Sequence, residues 1–400
     1  MAATAETLPL TRSAATPGAA RLPWYLTAVL SSSAAILVGL IWDICWHRTI
    51  GRDTFWSPPH LAIYLGGVVA GLSSALVIFR TTLRGSAAEK AEGVRVLGFT
   101  GPLGAFFCSW GAGAMLTSAP FDDWWHNAYG LDVKILSPPH MVLALGINAI
   151  QMGAMLTAVA LQNRWEPAGE MHPADGLRSR LRLAYAFSAG LLLTNVAILT
   201  YEYAQRVLMH SSIFYQVAAA SFPLVLVAGA WASRLRWPAT TAAAIYTALW
   251  LALVWIMPLF PAEPRLGPVR QPITHMVPLQ FPLLLIVPAL AIDLVRRRWK
   301  GGSGWTLALA LGAAFLAAFL AAQWPFANFL MTPASRNRVF VTHELPYFVS
   351  SAAAASRNQF YAWDRGAFAL PRGLLLALVL AVISSRLGLL WGGWMSRVRR

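Results

Sequence analysis

The feature that most limits how this chain can fold is a series of long apolar runs with almost no charge inside them. Ten stretches, near 23–44, 59–79, 95–118, 138–161, 181–201, 212–232, 238–258, 275–295, 304–323 and 373–391, are each long enough to cross a membrane as helix. A hydrocarbon core of about 30 Å takes roughly 20 helical residues. Inside lipid every backbone N–H and C=O must be paired within the protein, so only helices and closed barrels cross it. The runs are continuous rather than alternating, which predicts helices. Charged residues make up only 12% of the chain and mean hydropathy is +0.55, whereas a soluble domain carries about 25% charge. The expected fold class is all-α, a polytopic membrane helix bundle of about ten transmembrane helices.

The net charge of +15 does not point to nucleic acid, because the basic residues sit in short groups between apolar runs. Arg12 and Arg21, the 80–95 loop, the 162–182 loop, Arg234 with Arg236, residues 296–300 and the C-terminal end all fall on one side of a ten-span arrangement. The positive-inside rule makes that side cytoplasmic, with both termini inside, and the expected location is a bacterial inner membrane. The first run has no basic segment before it and no small-residue cleavage site after it, so it reads as a retained span. Residues 1–20 read as a disordered cytoplasmic tail, 21–161 as a four-helix region, and 162–400 as about six further spans with a long outer loop at 324–372. Two cysteines, Cys45 and Cys108, support neither a disulfide framework nor a thiolate metal cluster.

Polar chemistry concentrates on the opposite side. Of eight histidines, His47, His60, His126, His140, His210, His275 and His343 map outward and only His172 inward. Four of these lie in an internal repeat. Residues 43–60 read DICWHRTIGRDTFWSPPH and residues 122–140 read DDWWHNAYGLDVKILSPPH. Asp43, His47, Gly51, Asp53 and Ser57-Pro58-Pro59-His60 align with Asp122, His126, Gly130, Asp132 and Ser137-Pro138-Pro139-His140. The pattern predicts a parallel repeat of two helical hairpins in the N-terminal half.

Asp and His four apart share one helix face. A Pro-Pro pair suits a helix's first turn, so each SPPH places its His on the opening turn of the returning helix. Each hairpin thus offers two imidazoles and a carboxylate at a membrane face, where an ionisable group is costly and points to function. Two His and one carboxylate leave coordination positions open, as used for redox chemistry at iron or copper and for catalytic zinc. Nothing in the sequence pairs Tyr201, Glu202, Tyr203, His210, His275 or His343-Glu344 with these groups. Gly67-x3-Gly71 suggests close helix contact. There is no phosphate loop, nucleophile elbow or HExxH.

Trp46-His47, Arg52-Asp53-Thr54, Phe55, Pro58, His60 and Tyr64 resemble the C subunit of the copper membrane monooxygenases, the particulate methane and ammonia monooxygenase family. The likeness covers about residues 24–161. It implies a copper site at Asp43, His47 and His60 and a second at Asp122, His126 and His140, where the family's Asn is replaced by Asp122. Asp53 and Asp132, outside the ligand sets, would orient an imidazole or pair with Arg52. The resemblance also implies partner subunits, including a cupredoxin-like chain that this sequence lacks. Two functions follow as expectations. One is oxidation of a small apolar substrate by dioxygen at the Asp43/His47/His60 site, facing outward. The alternative is transport, storage or sensing of a metal by the same groups.

Overall fold

The computed structural model describes residues 21–51, 54–130, 137–165, 176–265, 273–342, 364 and 366–400. The molecule is all-α: α1 (Trp24–Thr49), α2 (Pro58–Arg84), short α3 (Ala87–Ala91), α4 (Leu103–Tyr129), α5 (Pro138–Trp165), α6 (Gly176–Leu199), α7 (Ser212–Ala232), α8 (Pro238–Ile256), α9 (Ile286–Arg298), α10 (Gly304–Leu330) and α11 (Ala369–Met395). Eight of these helices, α1, α2, α5, α6, α7, α8, α10 and α11, are long and apolar enough to cross a bilayer. The chain is an integral, multi-pass membrane protein. The proposed tail 1–20 lies outside the described residues.

Two expected spans are built differently. The third was expected over 95–118, but Val94–Val96 and Phe99–Gly101 pair as a small antiparallel hairpin, and the helix starts only after Pro102. Leu97 and Gly98 both have positive φ, 49° and 88°, as a tight two-residue hairpin turn requires. The helix then runs on to Tyr129, far enough to carry Asp122 and His126. The eighth was expected as helix over 275–295. Instead the described stretch 273–285 is almost wholly non-helical, and α9 holds 13 residues, a rise of about 20 Å.

Non-helical backbone among spans needs partners from the protein itself, and neighbouring helices supply them. Val277 N–H donates to Thr49 Oγ1 (2.8 Å), Leu283 N–H to Tyr246 Oη (3.0 Å) and Leu284 N–H to Gln323 Oε1 (3.1 Å). Trp250 Nε1–H donates to the Gln280 carbonyl (2.9 Å). Apolarity alone does not separate such a segment from a helix, which is why the sequence pattern reads as one.

Helix pairing follows the small residues. α4 and α5 cross backbone to backbone at reciprocal glycines: a Cβ on Gly111 would stand 2.5 Å from the Gly146 carbonyl, and one on Gly146 would stand 2.7 Å from the Gly111 carbonyl. Gly104 and Gly153 meet the same way two turns along. In the α1–α2 pair, Gly66 faces Ile36 and the Ser32 carbonyl. The Gly67/Gly71 face of α2 packs on Met115 and Ala112 of α4, the close contact its spacing suggested.

Candidate metal centre

Both Pro-Pro segments open helices as their sequence predicts: α2 starts at Pro58 and α5 at Pro138. His60 and His140 therefore stand on first turns, facing the last turns of α1 and α4. Those turns end in Gly51 and Gly130, both at positive φ, 90° and 88°, conformations that glycine adopts without steric cost. Arg52, Asp53 and Asp132 lie outside the described residues.

In the first hairpin the Asp43 carboxylate sits between two imidazoles. Its Oδ1 is 3.3 Å from His60 Nε2 and its Oδ2 is 3.8 Å from His47 Nε2. In the second, Asp122 Oδ1 is 3.4 Å from His140 Nε2 and Oδ2 is 3.3 Å from His126 Nε2. His47 is exposed and the other five side chains are partly shielded, the two carboxylates 18% and 23% exposed.

Three observations bear on whether these groups suit a metal ion. Asp43 Oδ1 and Asp122 Oδ1 are buried and make no hydrogen bond, although an imidazole nitrogen lies within 3.4 Å of each. Donors each about 2.1 Å from a shared ion stand about 3–4 Å apart at ordinary coordination angles, the range found here for each carboxylate–imidazole pair. His126 Nδ1 lies 3.3 Å from the Gly130 carbonyl, which can only accept, so the proton of that bond belongs to Nδ1. That tautomer leaves Nε2 an acceptor 3.3 Å from a carboxylate oxygen, an arrangement that suits a cation bound between them. Such Nδ1–H contacts to carbonyls are usual for metal-ligating histidines. Among the described residues, however, no three His, Cys, Asp or Glu groups close around one point as they stand. The fit is one of donor type, spacing and orphaned oxygens, not of a preformed cage.

The two hairpins open onto one cavity of about 480 Å³. Asp43, His47, His60, Asp122 and His140 all line it; His126, 3.3 Å from Asp122, does not. Much of the wall is apolar, with Leu40, Ile44, Ile63, Leu143, Ile147 and Ile198 prominent. The remaining wall is polar and comes from far along the chain: Tyr201, Glu202, Gln205, Arg206 and Gln280, joined by Arg48 and Asn195. Arg48 Nη1 donates to Tyr201 Oη at 2.9 Å. Gln280 is fixed at both ends, its Nε2 donating to the Ala204 carbonyl (2.7 Å) and its Oε1 accepting from Arg206 N–H (2.7 Å).

Tyr201 and Glu202, unpaired in the sequence, thus join the cavity, whereas His210 and His275 do not line it. His210 is buried, with Nε2 2.8 Å from Asn328 Oδ1 and its ring edge-on to Trp324. Burial holds its pKa below the ordinary 6.5, a shift partly opposed by the Asn328 bond. His275 is exposed, its Nδ1 2.8 Å from Thr274 Oγ1. His343 lies outside the described residues. Sequence reading missed Arg48, although a charged residue directly after a ligand-type His was a usable signal. No protein family, curated protein or solved structure matches the chain.

Proposed function

We infer that this protein is a membrane-embedded metal protein that oxidises a small apolar substrate with dioxygen, with copper held by Asp43, His47 and His60 and a second ion by Asp122, His126 and His140. The observation that carries the reading is the shared cavity: Asp43, His47 and His60 of one hairpin and Asp122 and His140 of the other line a single, largely apolar space of about 480 Å³, within the usual size of a small-molecule pocket. The sequence likeness to the copper monooxygenase C subunit supports copper over iron or zinc.

Copper bound there would supply the one-electron chemistry that dioxygen reduction needs. The chain's own residues do the rest. Leu40, Ile44, Ile63, Leu143, Ile147 and Ile198 hold an apolar substrate and exclude water. The two carboxylates balance the ions' charge in a partly desolvated setting. Hydroxylation of a C–H bond consumes one dioxygen, two electrons and two protons and releases water, and Tyr201 and Glu202 in the wall are groups that can carry protons at the cavity. Electrons come from a quinol or a partner chain, a cupredoxin-like subunit by the resemblance.

Orientation belongs to the same reading. Arg80, Arg84, Arg164 and Arg178 lie at helix ends remote from the cavity, so the positive-inside rule turns the cavity outward and both termini toward the cytoplasm. The two hairpins then stand as a parallel repeat in a bacterial inner membrane. The test is metal analysis of the purified chain together with oxygen-dependent product formation from small hydrocarbons. Loss of product in His60→Ala, in protein that still inserts, supports the oxygenase. A chain devoid of transition metal under both reducing and oxidising conditions overturns it, and metal uptake into vesicles without oxygen consumption assigns the same groups to transport.

A further inference from the structure

At the end of the bundle remote from the cavity, where α7 ends and α8 begins, a second hollow of about 440 Å³ is lined by Trp231, Arg296, Arg297 and Trp299. The Arg297 guanidinium lies 4.4 Å from the centre of the Trp237 ring, with that of Arg236 at 5.9 Å. Stacking, not a carboxylate, fixes Arg297 here. The neighbouring acid, Asp293, is buried and already accepts from Ala239 N–H, Thr240 N–H and Thr240 Oγ1 at the start of α8. Among the described residues none of Arg234, Arg236, Arg296, Arg297, Arg298 or Lys300 makes an ion pair; those present lie elsewhere. The hollow concentrates positive charge: Asp293 acts electrostatically on Arg296 without pairing with it, and one acid stands against Arg296, Arg297 and Arg298.

An apolar face of α9 runs up to Arg297, which lines the hollow. Ile286, Val287, Leu290 and Leu294 of α9 are all more than a third exposed, and their spacing places them on one face. Arg297 and Arg298 follow Leu294 by three and four residues and continue that face. A molecule matching this surface has hydrocarbon chains, to lie along that face, and an anionic group at one end, to meet Arg296 and Arg297 between two tryptophans. We propose that the hollow is a binding site for an anionic glycerophospholipid, with the lipid phosphate on Arg296 and Arg297 and the acyl chains along α9. Basic pockets at helix ends, and tryptophan at the headgroup level, are the elements from which lipid headgroup sites are made.

The test is native mass spectrometry of the full chain in detergent with equal amounts of phosphatidylglycerol and phosphatidylcholine. Wild type is expected to retain phosphatidylglycerol preferentially, and Arg296→Gln with Arg297→Gln to weaken that preference by roughly fivefold per charge removed. Arg400→Gln, outside the hollow, leaves it intact. Equal retention of the two lipids, or an unchanged preference in the double variant, overturns the proposal. Displacement of phosphatidylglycerol by millimolar inorganic phosphate also overturns it and marks a free-phosphate site. Should the double variant fail to fold, Trp299→Ala and salt titration of wild type decide. Persistence of the preference in both Trp299→Ala and 1 M salt, where charge is screened within about 3 Å, counts against it.

Discussion

Two glycines two residues apart on α4 should respond to the same substitution with opposite sign. Gly111 sits at the crossing with α5, where an added Cβ would stand 2.5 Å from the Gly146 carbonyl, 2.9 Å from Ile150 N and 3.0 Å from Ala149 Cβ. Ordinary contact begins at 3.4 Å, so the nearest approach falls short by about 0.9 Å. The obstructing atom belongs to a helix backbone and cannot swing aside, so α4 and α5 must separate. Overpacking of this kind costs about 1–3 kcal/mol. Gly113 faces open space, with nothing within 4 Å of its added Cβ, and Gly→Ala in a helix interior stabilises by roughly 0.5–1 kcal/mol. Equilibrium unfolding of Gly111→Ala and Gly113→Ala in dodecyl sulfate/maltoside mixed micelles, followed by tryptophan emission, compares the two directly. Gly111→Ala should also loosen the Asp122–His140 contact more than the Asp43–His60 contact, because the strained crossing joins the helices that carry the former. Equal stabilities, or a stabilised Gly111→Ala, would refute the backbone-contact account of this hairpin.

Asp43→Ala and Asp122→Ala should each weaken metal binding at their own hairpin by at least the 10–100-fold seen for loss of outer partners, read by competition with a chromophoric chelator. Thr49→Val should cost about 1–3 kcal/mol, since the buried Val277 N–H loses its acceptor; Thr49→Ser should recover most of it in the same micelle titration. His210 sets a pH dependence. Its folded-state pKa lies below the unfolded value near 6.5, so its stability contribution is intact above pH 6.5 and declines as pH falls through the lower folded value. Melting temperature should drop below pH 6.5 in wild type and drop less in His210→Gln.

What the sequence made legible was local. Asp43 and His47, four apart, meet on one helix face, and Pro58-Pro59 and Pro138-Pro139 open helices, because spacing of that kind needs only α-helical geometry. The glycine crossing was harder: Gly104 and Gly111 on α4, Gly146 and Gly153 on α5, each seven apart, become informative only once the two helices are known to be partners. The polar wall was not legible, since Arg48 and Tyr201 are 153 residues apart when they bond. Residues 273–285 misled for another reason. Their side chains are as apolar as a span's, and their non-helical path depends on acceptors and donors carried by Thr49, Tyr246, Trp250 and Gln323.

That dependence bears on the order in which a newly made chain acquires its cavity. When α1 to α5 leave the ribosome, the helices bearing Asp43 and His140 exist, but Gln280 and the Tyr201–Arg206 turn that it braces are still to come. The pocket is finished only after some 120 further residues have been added and residue 277 has threaded back to Thr49. Severing the chain between α5 and α6 would leave a fragment of four long helices and short α3 with a half-open bowl, and supplying the missing portion in trans should close it again.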